Sequence, residues 1–107
     1  MKNIFKTAVV FFALTASALA SNEYVLEIKD HKFTPEIVEV KAGEEFTLIV
    51  KNLDKTVEEF ESHDLRAEKI ISGGKTAKIK VGALKAGEYK FFGEFHSKTA
   101  IGKVVVK

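Results

Sequence analysis

The chain has 107 residues, no cysteine, one proline and one methionine, and 46% of its side chains are hydrophobic and 30% charged. That length holds one small domain, and that composition is globular, not disordered or collagen-like. Without cysteine there is no disulfide, no thiolate metal site, no iron–sulfur cluster, no type 1 copper and no cysteine nucleophile, and the formal charge of only +2 leaves no general footprint for nucleic acid.

Residues 1–20 read as a secretory leader. Lys2 and Lys6 form the basic start, Thr7 to Ala16 the apolar stretch, and Ala18-Leu19-Ala20 the small-residue cleavage pattern. The apolar run is shorter than the about 20 residues a membrane span needs. Cleavage after Ala20 is expected, with no membrane anchor left behind. The exported domain, residues 21–107, then has 15 basic and 15 acidic side chains. A bacterial periplasm is the expected location.

The rest alternates short strand patterns with turns. Tyr24 to Lys29 alternates apolar and polar, as does Ile37 to Lys41, which stops at Ala42-Gly43-Glu44. Phe46 to Lys51 is a near-continuous apolar run, as a central strand would be. Asn52 to Lys55 turns, and Thr56 to Glu61 is mixed. Ser62 to Ile71 suits one helical turn or a short strand equally. Ser72 to Lys75 turns again, and Thr76 to Val81 alternates strictly. After Lys85-Ala86-Gly87-Glu88, the aromatic-rich Tyr89 to Phe95 and then Ile101 to Val106 complete the chain. Turns about every ten residues between β-branched and aromatic runs predict an all-β sandwich or barrel. Its core candidates are Phe33, Phe46, Phe60, Tyr89, Phe91 and Phe95.

Two acidic clusters carry the chemistry, Glu58-Glu59-Phe60-Glu61 and Glu94-Phe95-His96. In a strand, alternate residues share a face. Glu59 and Glu61 then lie on one face with His63, and Phe60 on the other. By the same parity Glu94 and His96 share a face. If the two strands are neighbours, Glu59, Glu61, Glu94 and His96 supply carboxylate and imidazole donors suited to Cu(II), Fe(III), Fe(II), Mn(II) or Zn(II). A cation would relieve the repulsion between the carboxylates. The plainer reading is a solvated acidic face, with Glu58-Glu59 as a surface charge run. His31 and His63 read as surface histidines, and the lysine-rich Lys75 to Lys80 as the wet face of a strand. No nucleophile–base pair marks a hydrolase, so no enzyme is expected.

A wider pattern joins these pieces. It runs from Asp30-His31-Lys32-Phe33-Thr34-Pro35 through Ile37 to Glu44 and Phe46 to Asn52, then Gly87 to His96 and Gly102 to Val106. The chain resembles the cupredoxin superfamily across nearly all of residues 21–107. The resemblance implies a cupredoxin-like Greek-key β-sandwich of seven to eight strands. It also implies a copper pole, but Gly93 stands at the cysteine position and Ala100 near the methionine position. His96 matches the late histidine, and an acidic residue near Glu58 or Glu59 replaces the early one. Type 1 copper is therefore not expected.

Glu59-Phe60-Glu61-Ser62, Asp64-Leu65-Arg66 and Phe91 to His96 are similar to the EfeO-type cupredoxin-like domain. That resemblance implies a periplasmic protein binding copper(II) or iron through acidic residues, here Glu59, Glu61 and Glu94 with His96. An inner-membrane iron permease or a related periplasmic uptake protein is the implied partner. The chain lacks the additional imelysin-type domain of the longer members. The competing expectation is a metal-free cupredoxin-like interaction module.

Overall fold

The computed structural model describes residues 22–107, so the expected leader lies outside the described residues. Nine strands form two facing sheets: β1 (Glu23–Lys29), β2 (Lys32–Thr34), β3 (Ile37–Val40), β4 (Phe46–Asn52), β5 (Glu58–Ser62), β6 (Ala67–Ile71), β7 (Thr76–Val81), β8 (Gly87–Gly93) and β9 (Ile101–Val106). One sheet has the order β2-β1-β4-β7, the other β3-β9-β8-β5-β6. The expected sandwich is present, with nine strands where seven or eight were expected. The three-residue β2 is too short for alternation to reveal. β6 settles the open reading of Ser62 to Ile71 as a hairpin arm.

Both sheets are mixed. β1 runs parallel to β4 and β3 parallel to β9, while the other pairings are antiparallel. Parallel neighbours need crossover connections, and here each crossover changes sheet. The inner faces follow the period-2 pattern. Phe46, Leu48 and Val50 of β4 are buried, as are Ala77, Ile79 and Val81 of β7. Among the described residues, no helix is long and apolar enough to cross a membrane.

Aromatic packing sets the core at one end of the sandwich. Phe60 stacks on Phe91 with ring centroids 5.2 Å apart, and Phe33 meets both edge-on at 6.1 Å and 5.0 Å. Such pairs add about 0.5–1.5 kcal/mol beyond the area they bury. Four of the six expected core aromatics, Phe33, Phe46, Phe60 and Phe91, are buried, and Tyr89 packs at the margin. Phe95 does not join them. It is 47% exposed, because β8 ends at Gly93 and the chain turns before reaching it.

Candidate functional site

The sandwich brings the nominated residues to the two faces of β5. Its burial alternates, so Glu58, Phe60 and Ser62 point inward while Glu59 and Glu61 lie on the outer face. The expected parity at Glu59 and Glu61 holds. The expectation of Glu58 as a surface charge does not: Glu58 is 1% exposed.

On the outer face, β6 pairs with β5 so that Glu68 stands directly opposite Glu61. Glu59, Glu61 and Glu68 each offer an oxygen, and the three oxygens lie within 4.8 Å of one another. Like charges this close resist full ionisation. A hydrogen bond to Glu68, partial desolvation and the charges of Glu68, Glu61 and Glu94 push the Glu59 carboxyl up to about 7. Glu59 thus keeps its proton towards neutrality, with Glu68 as its hydrogen-bond partner. His63, 78% exposed at its side chain, adds a contact of 3.3 Å from Nε2 to the Glu61 carboxylate. Glu68 was not among the expected ligands, because Ser62 to Ile71 suited a helical turn or a short strand equally and its pairing with β5 has no local signal.

Glu94 and His96 are arranged differently. Residues Glu94–His96 form a 3-10 turn, so the strand parity expected of them is absent. Glu94 is exposed and contributes to the field at Glu59. His96 turns to the inner side of β5, where its Nδ1 lies 2.7 Å from Glu58 Oε2. The four nominated residues therefore divide between Glu59, Glu61 and Glu94 around the outer acidic group and His96 at a separate pole.

That pole is built on Glu58. Its Oε1 accepts hydrogen bonds from the backbone N–H groups of Glu59 and Phe95, both at 2.9 Å. With Glu58 ionised, His96 Nδ1–H donates to Oε2. A buried carboxylate is tolerated only when its lone pairs are filled in this way. His31 is only partly exposed and stacks face to face on His96, centroids 3.5 Å apart. The turn holding it is fixed by Asp54, whose carboxylate accepts from the N–H groups of Asp30 and His31 at 2.8 and 3.0 Å. Burial works against the Asp54 charge. Those two donors, with His31 and His96 nearby, outweigh it and hold the carboxyl below its usual range. Both Asp30 and His31 adopt left-handed backbone, uncommon for residues with a Cβ.

Gly93 completes the pole. A Cβ there would stand 2.7 Å from the Glu58 carboxyl carbon and 2.8 Å from the Ala100 Cβ. Glu58 fills the space that a side chain at position 93 would need.

The chain matches the family described as cupredoxin-like domain over residues 3–106. It belongs to the cupredoxin-like domain family. An uncharacterized protein of Rickettsia prowazekii (strain Madrid E), RP394, is 48% identical over 90 residues, covering 80% of this chain and 72% of that protein. Among solved structures, auracyanin A, a "blue" copper protein from Chloroflexus aurantiacus, superposes with a TM-score of 0.69 at 18% identity, over 79% of this chain and 98% of its own. Amicyanin from Paracoccus versutus gives 0.61 at 19% identity, over 80% and 82%. These likenesses establish the cupredoxin-like sandwich.

Copper is the metal this cupredoxin-like fold implies, as a type 1 centre at the pole. That centre requires a thiolate. The cupredoxin-like chain has no cysteine. Glycine stands at the matching position, and the Glu58 carboxylate occupies the adjoining space. The pole does not fit type 1 copper. The outer carboxylates do suit a hard or borderline cation, since ionised oxygens are the ligands such ions prefer.

Proposed function

We propose that this cupredoxin-like protein is a periplasmic metal-binding accessory protein. It takes copper(II) or iron at the outer acidic group, Glu59, Glu61 and Glu68, with Glu94 beside it. The observation that carries the reading is the convergence of three carboxylate oxygens within 4.8 Å. The raised Glu59 pKa, about 7, expresses the same crowding. A bound cation would replace the proton on Glu59 and satisfy all three groups. The site lies open on a sheet face, which suits transfer rather than storage.

The similarity of Glu59-Phe60-Glu61-Ser62 and Phe91 to His96 to the EfeO-type domain supports a link to iron uptake, with an inner-membrane iron permease as the receiving partner. The protein is then a carrier and not an enzyme. His96 belongs to the supporting pole in this reading. Its Nδ1 is engaged by Glu58.

Thermal unfolding of residues 21–107 tests this, first after chelation and then with Cu(II), Fe(III), Mn(II) or Zn(II) added. A ligand binding only the folded state adds about 2.7 kcal/mol at a hundredfold excess over its dissociation constant. A shift with one metal, lost in Glu59→Ala plus Glu61→Ala, is the expected result. No shift with any metal sinks the reading. A metal-free interaction module then takes its place, favoured by a pole already filled by Glu58.

A further inference from the structure

We propose that Glu58 is the positioning residue of the outer carboxylate site, acting through the backbone from the opposite face of β5. The proposal rests on the metal-binding reading above. Its basis is a single oxygen. Glu58 Oε1 accepts at 2.9 Å from the N–H of Glu59 and at 2.9 Å from the N–H of Phe95. Those two amides adjoin the acidic groups on either side. Glu59 is itself a member of the cluster, and Phe95 follows Glu94, whose charge reaches Glu59. One buried carboxylate thus fastens the start of β5 to the 3-10 turn across 37 residues of chain.

The other oxygen is held as firmly, by His96 Nδ1 at 2.7 Å, and no buried side-chain polar atom among the described residues lacks a partner. Gly93 supplies the room. A Cβ at that position would meet the Glu58 carboxyl carbon and Oε2, both at 2.7 Å. The pole that does not fit type 1 copper has its own centre, a carboxylate with three donors. Its geometry sets where Glu59 and Glu94 stand. Groups that orient metal ligands without touching the ion are worth about 10–100-fold in affinity.

Two variants separate geometry from charge. Glu58→Gln keeps an acceptor oxygen at full reach and removes the charge; its amide can donate to a neutral His96. Glu58→Asp keeps the charge and withdraws the oxygen by one methylene. Mn(II), a cation that favours oxygen ligands, is the probe, and Glu61→Ala is the control that removes a ligand directly. Expected is near-normal Mn(II) affinity in Glu58→Gln and a loss of about 10–100-fold in Glu58→Asp. Hydrogen exchange adds a readout independent of metal: the Glu59 and Phe95 amides lose protection together in Glu58→Asp and keep it in Glu58→Gln.

The opposite order, with Gln weakened and Asp normal, shows that Glu58 acts by charge and overturns the proposal. Unchanged affinity and unchanged protection in both also overturn it. If Glu58→Asp fails to fold, Gly93→Ala displaces the same carboxylate from the other side and must show the same paired loss. Binding indifferent to Glu61→Ala, or no binding of Mn(II), Cu(II), Fe(III) or Zn(II) by the unaltered protein, sinks the carboxylate-site reading. The amide protection then still decides whether Glu58 fastens the two segments.

Discussion

His31 and His96 lie ring on ring, 3.5 Å between centroids and 7° from parallel, and so close the pole of the sandwich across 65 residues of chain. The contact has support on both sides. Glu58 holds His96, and Asp54 holds the His31 turn. Thr99 adds a third tie, its hydroxyl donating to the His31 carbonyl at 2.7 Å. The stack is therefore the meeting point of two hydrogen-bonded frames, one on each sheet.

His96→Ala is expected to lower the free energy of unfolding by about 2 kcal/mol, the range for losing a hydrogen bond to a charged group. The loss comes mainly from Glu58, left buried with one donor fewer. His31→Ala removes the stack and the 3.4 Å contact of the ring with Thr56 Oγ1, and costs about 1 kcal/mol. Urea denaturation of both single variants and the double variant measures this. Because the two rings touch, the costs do not add. Strict additivity would show that the stack contributes nothing.

Gly93→Ala places a methyl group against the Glu58 carboxylate and Ala100. Both neighbours are fully packed, and neither is the free end of a flexible chain. Overpacking of this kind costs about 1–3 kcal/mol. Alanine would ordinarily gain stability over glycine in a strand through lower chain entropy. A stabilised Gly93→Ala variant in thermal unfolding would mean that the Glu58 carboxylate can stand elsewhere.

The two faces of β5 show what the sequence made legible and where its signal stopped. Alternation put Glu59 and Glu61 together and Phe60 inside, and the structure agrees. Glu58 has the parity of Phe60 but was expected as a surface charge, since burying a carboxylate demands partners that only tertiary contacts supply. Those partners, His96 and the Phe95 amide, are far along the chain. Strand parity misled at Glu94 and His96, since Gly93 ends β8 and a 3-10 turn rotates the side chains out of register. Glu68 entered the site through cross-strand pairing with Glu61, a relationship that no local pattern encodes. His31, an ordinary surface residue by its polar neighbours, is held by Asp54 and stacked on His96 for the same reason.

Asp54 should govern part of the acid sensitivity. Its folded pKa lies below the ordinary 3.8. A depressed carboxyl pKa contributes stability that is complete above the unfolded value and is lost as pH falls through the folded one. Asp54→Asn forfeits the charge that the Asp30 and His31 amides favour. At neutral pH it is expected to be less stable than the unaltered protein, with the gap closing as pH drops below about 4. Guanidinium denaturation across that interval checks it. A gap that stays constant would show that Asp54 acts only as a neutral acceptor.

Glu59 works in the opposite sense. Its carboxyl is pushed from 4.5 to about 7 by Glu68, Glu61 and Glu94. Between those values the folded chain keeps a proton that the unfolded chain has released. Stability from this group is therefore full below about 4.5 and declines as pH rises through about 7. Glu59→Gln imitates the protonated side chain at every pH. It is expected to match the unaltered protein in mildly acid solution and to exceed it in mildly alkaline solution, where three carboxylates would otherwise face one another ionised. Chemical denaturation on both sides of neutrality supplies the comparison, with metal excluded by chelator. Adding a cation the site accepts should reverse the alkaline order. The ion stabilises the ionised cluster and does nothing for Glu59→Gln, and the unaltered protein should release a proton as it binds. Parallel pH curves for the two proteins would show that Glu59 holds no proton near neutrality.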